Sequence, residues 1–422
     1  MRIGLVLEQF DPLRGGREQW TFGLADRLAA RGHEVHVAAR GFAEAAARLP
    51  VTLHAVRCGW SPQAFTAAVR AALEPLSLDV IHDMGAGWYC DVFQPHSGSR
   101  AALTERKLLL LPWWLRGLKH QMNRCLPRHR GFRSVMRRQY ADHGQILLAL
   151  SQAVADDFQR LHGVPAERIR LVHNGVDLER FSPWRCTPYR AAVRRRLQIG
   201  PQTVLALIVA HNFQLKGVPA LLRAVARLRA EGRGVCLAVV GGRRLETWRR
   251  RIEWQGLGQA VTLVGPVADP VPYYAAADLY VHPTFYDACS LVALEAAACG
   301  LPVITSRYNG AAEVFGGSPG VRVIADPAHT EELAAAMRPL LDPAVRREMA
   351  AAARQTMLTH SLENNVDRIL DVYQEVIERR RLSPPQGYGV WTARVPAAAE
   401  ESAPAGQGRA PRPVASPPGV PA

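Results

Sequence analysis

Short apolar runs alternate with amphipathic stretches along most of this 422-residue chain, and the alternation comes in two series. The first opens with "RIGLVLEQF", a continuous apolar run suited to a strand buried on both faces. "DPLRGGREQW" follows as a loop, "WTFGLADRLAARG" has helical spacing closed by Gly32, and "HEVHVAA" is the next strand. A crossover of that length joins parallel strands. "VTLHAV", "LDVIHDMG", "GQILLALS" and "IRLVHNGVD" supply further strands. The second series runs from "TVLALIVA" through "VPALLRAVARLRAEG", "CLAVVGG", "LETWRRRIEWQGL", "AVTLVG", "VPYYAAA", "LYVHPT" and "LVALEAAACG" to "PVITS". The pattern predicts an α/β protein with two doubly wound domains, residues 1–182 and 201–363, joined by a linker over 183–200. "NNVDRILDVYQEVIERRR" predicts an amphipathic helix at about 364–381 that packs back on the first domain. From 382 to 422 the chain is rich in Pro, Ala and Gly and lacks periodicity, which predicts a disordered tail.

Charge and cysteine usage narrow the partners. The formal charge of +15 comes mostly from arginine and favours nucleotide phosphates, nucleic acid or an anionic membrane surface. A coding bias toward arginine is the plainer reading. Seven cysteines stand singly, with no Cys-x-x-Cys pair, so neither a zinc site nor a disulfide framework is expected. No segment reaches the roughly 18 apolar residues that span a bilayer, and the N-terminal apolar run is broken by Glu8. A cytoplasmic protein, peripheral on the inner membrane, is expected. Residues 106–140 hold ten Lys or Arg, no acid, and a Leu/Trp-rich front. Basic residues beside Trp and Leu read as an interfacial membrane contact; a basic helix pair with its apolar face in the core is the alternative. No nucleic-acid motif accompanies the charge, so nucleic acid is not expected as a partner.

The stretch "FYDACSLVALEAAACGLPVITS" raises a sharper question. It places Asp287 and Glu295 around an otherwise apolar helix. "LYVHPT" ends a strand, so the loop beyond it lies at the carboxyl edge of a parallel sheet, where doubly wound folds bind ligands. Ser290 is positioned to cap the helix, and Gly300 and Pro302 close it. The helix start at Ser290 and Leu291 then presents backbone N–H groups and a positive end to an anion such as a phosphate. Glu295 can accept hydrogen bonds from a ribose diol, and Asp287 from a sugar. Taken alone, two acids eight positions apart are usually chance surface charges.

In full, "FYDACSLVALEAAACGLPVITSRYNGAAEV" resembles the acid–x7–acid signature of the retaining glycosyltransferases of family 4, which have the GT-B fold of two Rossmann-like domains facing across a cleft. The resemblance covers about residues 1 to 380. "FDPLRGGREQWTFGLADRLAARGHEVHVAA" is similar to the family's Gly-Gly loop and helix, "LVHNGVD" to its "xPNGVD" with His173 for proline, and "VAHNFQLKG" to its "GRxxxxKG". Within the family the chain is similar to the lipopolysaccharide core glucosyltransferases. The resemblance implies that Glu295 holds the nucleotide ribose and Asp287 the hydroxyls of the donor sugar. Lys216 would neutralise the diphosphate, and Gly15 and Gly16 would admit it across the cleft. His96, in "FQPHSG", would lie at the reaction centre. Asp287 stands where the family commonly has Glu, and His211 where it has Arg; Arg243 and Arg244 after "VVGG" are candidate replacements. Without the family, Gly15-Gly16 is an ordinary turn, Lys216 a solvated lysine, and His96 and His82 structural histidines.

The implied activity is transfer of a hexose, glucose in the lipopolysaccharide subgroup, from a nucleotide-sugar such as a UDP-sugar. The acceptor would be a glycan or glycolipid such as lipopolysaccharide core, held by the N-terminal domain. Retention of configuration, no metal and no cofactor are expected. The rivals are an epimerase on the same fold, a non-catalytic nucleotide-sugar-binding relative and, more remotely, an RNA-binding protein.

Overall fold

A computed structural model describes residues 1–125 and 127–382, the side chains of 123–130 and 132 excepted. The expected tail lies outside the described residues apart from Leu382. The first half carries strands β1 (Arg2–Val6), β2 (Glu34–Ala39), β3 (Thr52–Ala55), β4 (Val80–Asp83), β5 (Val92–Phe93), β6 (Ile146–Ala149) and β7 (Ile169–Leu171). Its helices are α1 (Gly16–Ala30), α2 (Pro62–Leu73), α3 (Arg100–Leu109), α4 (Trp113–Cys125), α5 (Pro127–Tyr140) and α6 (Gln152–His162). Two short helices, α7 (Pro183–Cys186) and α8 (Arg190–Arg196), lead to the second half. That half has β8 (Val204–Ala210), β9 (Val235–Gly241), β10 (Val261–Gly265), β11 (Leu279–His282), β12 (Val303–Ser306) and β13 (Val321–Ile324). Around them lie α9 (Val218–Ala230), α10 (Leu245–Trp254), α11 (Val271–Ala276), α12 (Leu291–Ala298), α13 (Ala311–Phe315), α14 (Thr330–Met337) and α15 (Pro343–Met357). The long α16 (Leu362–Leu382) ends the described chain.

All named strands pair in parallel, in the orders β3-β2-β1-β4-β5-β6-β7 and β10-β9-β8-β11-β12-β13. Each order reverses once, between β1 and β4 and between β8 and β11. Those switch points are where the carboxyl-end loops diverge and leave a crevice. The loops after β1, β8 and β11 carry Gly15-Gly16, Lys216 and Asp287, so sheet topology alone gathers the three motifs.

The apolar runs bury as their patterns require. Ile3 and Leu5 of β1 and Leu7 just beyond it pack with Leu24 and Leu28 of α1, four residues apart on one helix face. The same core takes Val366, Ile369 and Tyr373 from α16. Tyr373 and His82 Nδ1 hydrogen bond at 2.7 Å, and Arg380 pairs with Asp91, so α16 is fastened to the first sheet by polar contacts as well. The second core joins Ile208, Leu221, Leu237, Val281 and Ile304.

Residues 183–200 are largely helical. Arg190 and Arg194 both pair with Asp278, at 2.6 and 2.9 Å, and Arg190 also donates to the free carbonyls of Ala275, Ala276 and Ala277 at the end of α11. Those carbonyls lack intrahelical partners, which is why arginine binds there. The two halves meet in a small apolar cluster of Ala102 and Leu103 with Leu215, Phe285 and Tyr286.

Candidate active site

The loop after β11 is held from both sides. Asp287 N–H donates to Tyr308 O at 3.0 Å, and Asp287 O accepts from Gly310 N–H at 2.9 Å. The Asp287 carboxylate takes Lys216 Nζ at 2.5 Å and stands 3.4 Å from His282 Nε2. Tyr280 and His282 Nδ1 hydrogen bond at 3.1 Å behind it. Burial opposes ionisation of Asp287, but the Lys216 ammonium and His282 outweigh it and hold the carboxyl well below its ordinary range. Burial lowers His282 in turn, only partly offset by Asp287. Lys216 is delivered by a tight turn ending at Gly217, whose φ is +77°. A β-carbon at Gly217 would fall 2.0 Å from Pro283 O, so only glycine lets the β8 loop lie against the β11 loop.

Glu295 is buried on α12, and Tyr274 Oη donates to its Oε2 at 2.9 Å. Burial pushes the Glu295 carboxyl up to about 7, against the Tyr274 hydrogen bond and Arg180, which both lower it. Glu295 and Leu291 line a cavity of about 360 Å³ between the halves, with Gly16, Gln19 and Trp20 opposite. Arg180 lines it too, pairing with Asp269 at 3.1 Å. Gly15 immediately precedes α1 in extended backbone. The two acids thus have different surroundings: Glu295 lines the cavity, whereas Asp287 lies outside its lining, against Lys216.

Ser290 occupies the N-cap position of α12, but its side chain caps nothing. The residue is buried, its backbone N–H is tied to Asn309 Oδ1 at 3.1 Å, and its Oγ has no partner among the described residues. The expected serine cap is therefore corrected: the first turn of α12 has no side-chain cap.

His96 lies just beyond β5 with its ring 4.5 Å from Trp20. Burial, then Arg17 and His82, keep it neutral far below its usual range. Two residues on, Gly98 abuts the Tyr286 ring, so the His96 loop meets the neighbour of Asp287 across the cleft. His211 is exposed in the β8 loop, and Arg243 and Arg244 are exposed at the end of β9. None of the three joins an ion pair with the acids among the described residues. β9, which precedes Arg243 and Arg244, lies beside β8 in the sheet. Tyr274, Arg180 and His282 were not singled out by sequence reasoning. Tyr274 and His282 sit in runs that read as core, and only contact with the two acids marks them.

Comparison with known proteins bears on the family and the fold. Residues 14–180 match the family Glycosyltransferase Family 4, and residues 202–343 match Glycosyl transferases group 1. A D-inositol 3-phosphate glycosyltransferase 2 of Catenulispora acidiphila is 34% identical over 41% of this chain and 43% of its own. A D-inositol 3-phosphate glycosyltransferase of Pseudarthrobacter chlorophenolicus is 31% identical over 49% of this chain and 50% of its own. The chain thus spans about half the length of the curated relatives it matches. Among solved structures, WaaG, a glycosyltransferase involved in lipopolysaccharide biosynthesis, superposes with a TM-score of 0.73 over 88% of this chain and 99% of its own, at 24% identity. Anabaena Alr3699/HepE in complex with UDP and glucose gives 0.66 over 89% and 99%, at 18% identity. Both are likenesses of fold. The N-terminal half thus matches family 4 and the C-terminal half group 1 of the glycosyltransferases, and the two parallel sheets have the GT-B architecture.

Proposed function

We propose that the protein moves a hexose, with retention and without a metal, from a nucleotide-sugar to a glycan or glycolipid acceptor. The observation that carries this reading is the placement of Glu295 and Asp287 on one loop–helix unit at the cleft, one in a cavity and the other against Lys216. In it Glu295 accepts from the ribose diol and Asp287 from the hexose. Lys216 is shared between Asp287 and the diphosphate, where negative charge develops as the glycosidic bond breaks. The first-turn amides of α12 and the exposed Arg243 and Arg244 add to that field, and His96 serves the sugar from the other half. A neutral His96 suits contact with hydroxyls. HepE, solved with UDP and glucose, and the subgroup resemblance favour UDP as carrier and glucose as hexose.

For the acceptor, the lipopolysaccharide role of WaaG favours a glycolipid core. The surface of α4 supports that: Trp114, Leu118 and Met122 are exposed at four-residue spacing along one helix face, and Trp113 is exposed at the helix start. Among the described residues no helix is long and apolar enough to cross a membrane, so contact would be peripheral. The names of the curated relatives favour a second acceptor, a phosphorylated cyclitol.

A thermal-shift panel of nucleotide-sugars, followed by turnover with glycolipid and inositol phosphate acceptors, tests both. Binding in excess over the dissociation constant raises stability by about 3–4 kcal/mol. No shift with any nucleotide or nucleotide-sugar would sink the transferase reading. Donor converted to its epimer without acceptor would replace it with an epimerase.

A further inference from the structure

The two halves are clasped beside the Asp287 loop by side chains that the donor site itself does not use. Glu313, in α13 of the C-terminal half, reaches the start of α6 in the N-terminal half. Its Oε2 accepts from the backbone N–H of Gln152 at 2.6 Å and its Oε1 from that of Ala153 at 3.1 Å. First-turn amides have no acceptor within their own helix, and the helix dipole favours an anion there. His173 Nε2 lies 3.3 Å from the same carboxylate. Its neighbour Asn174 donates Nδ2–H across the cleft to Cys289 O at 2.7 Å, and this bond is buried. Cys289 is two residues from Asp287.

The other side of the loop rests on Tyr308–Gly310, the strip leading into α13. Besides the two Asp287 backbone bonds, Asn309 Oδ1 accepts from Ser290 N–H. Gly310 in turn lies directly under Ser151, the N-cap of α6. A β-carbon there would fall 2.5 Å from Ser151 Cβ and 1.9 Å from Ala288 O. The 287–290 segment is therefore gripped between a strip that Glu313 ties to α6 and a carbonyl that Asn174 holds. Of these, the Asn174 hold comes directly from the N-terminal half, whereas the Tyr308–Gly310 strip belongs to the C-terminal half and is anchored to α6 through Glu313. Glu295, by contrast, is oriented by Tyr274 of its own half.

We propose that Glu313 and Asn174 are positioning residues: they set the Asp287–Ser290 loop in its sugar-binding geometry only when the two halves are closed. The inference rests on the transferase reading for its catalytic consequence, not for the clasp. Nucleotide is held by the C-terminal half in either arrangement. The hexose is correctly placed, and the leaving diphosphate neutralised, only once α6 and Asn174 engage. A donor bound to an open molecule is thereby kept from reaction with water.

Glu313→Gln keeps shape and removes the charge; Asn174→Asp keeps shape and removes the donor. For both, melting temperature reports the fold. In Glu313→Gln, hydrogen exchange at the Gln152 and Ala153 amides should quicken at least tenfold, and small-angle scattering of the free protein should show a larger radius of gyration. Affinity for free nucleotide should stay within twofold for either variant, while kcat with nucleotide-sugar falls at least tenfold. Unchanged exchange and scattering would overturn the clasp. Quickened exchange with unchanged kcat, or a fall in nucleotide affinity and melting temperature as large as that in kcat, would overturn the positioning role. If the wild-type protein binds no nucleotide-sugar, the transferase reading fails on that result, while exchange and scattering still decide the clasp.

Discussion

Tyr274 Oη donates to Glu295 Oε2 at 2.9 Å, and that bond stabilises the ionised form of a carboxyl that burial pushes up to about 7. The ionised form is also the better acceptor for a ribose diol. Nucleotide affinity should therefore rise with pH through about 7 and level off above it. Tyr274→Phe should move that midpoint upward and weaken nucleotide binding most at neutral pH. Calorimetry across pH 5.5 to 9 would check it; a pH-independent affinity in both proteins would oppose the assignment.

The same carboxyl bears on stability. Its proton affinity in the fold exceeds the ordinary glutamate value near 4.5, so the folded protein holds a proton that the unfolded chain releases. Stability from this group is thus lost as pH rises from about 4.5 to 7. Glu295→Gln removes the loss and should raise stability above pH 7 by on the order of 3 kcal/mol, with little gain below pH 5. Denaturant melts at the two pH values give the comparison.

Asp287 should behave differently from Glu295. Asp287→Ala should spare free-nucleotide binding and cut turnover, because it removes the hexose contact and frees the Lys216 ammonium. Asp287→Glu discriminates further: a shorter acid tuned to this hexose makes the longer one crowd the sugar and slow transfer. Initial rates beside nucleotide titrations separate the two, and unchanged turnover in Asp287→Ala would remove the sugar role.

The α4 face offers a surface test. Replacing Trp113 and Trp114 by Ala should reduce sedimentation with anionic vesicles, and wild-type binding should weaken as salt rises. Equal recovery with neutral and anionic vesicles would leave the helix a structural element only.

Much of the fold was readable because parallel strands buried on both faces write continuous apolar runs, as in "TVLALIVA" and "CLAVVGG". Strands β5 and β13 were not. Val92–Phe93 is too short to show a period, and Val321–Ile324 alternates with Arg322 and is half exposed. The 183–200 helices were hidden because their order comes from Asp278 and the end of α11, more than 80 positions away. At the site, the two acids and Lys216 are marked by motifs that resemble those of a known family. The roles of Arg180, Tyr274, Asn174 and Glu313 are not legible there, since each acts through a contact that only the folded chain creates. Ser290 shows the converse: a good capping residue in the right position whose side chain makes no cap.

Tyr373→Phe tests the docking of α16. It removes the 2.7 Å hydrogen bond to His82, a buried histidine whose ring Nε2 already has no partner among the described residues. Leaving a buried group unpaired costs about 1–3 kcal/mol, so denaturant stability should fall by that much. No loss would mean that α16 is held by its apolar face and its other polar contacts, among them Arg380–Asp91 and Arg170–Glu375.

Calorimetric titration of nucleotide and nucleotide-sugar into wild-type protein and Glu295→Ala tests the donor site most directly. A hydrogen bond to a charged group is worth roughly 1.5–3 kcal/mol, so both ligands should bind Glu295→Ala at least tenfold more weakly. Equal affinity of the two proteins for both ligands would contradict a ribose contact at Glu295, and with it the placement of the donor in this cleft.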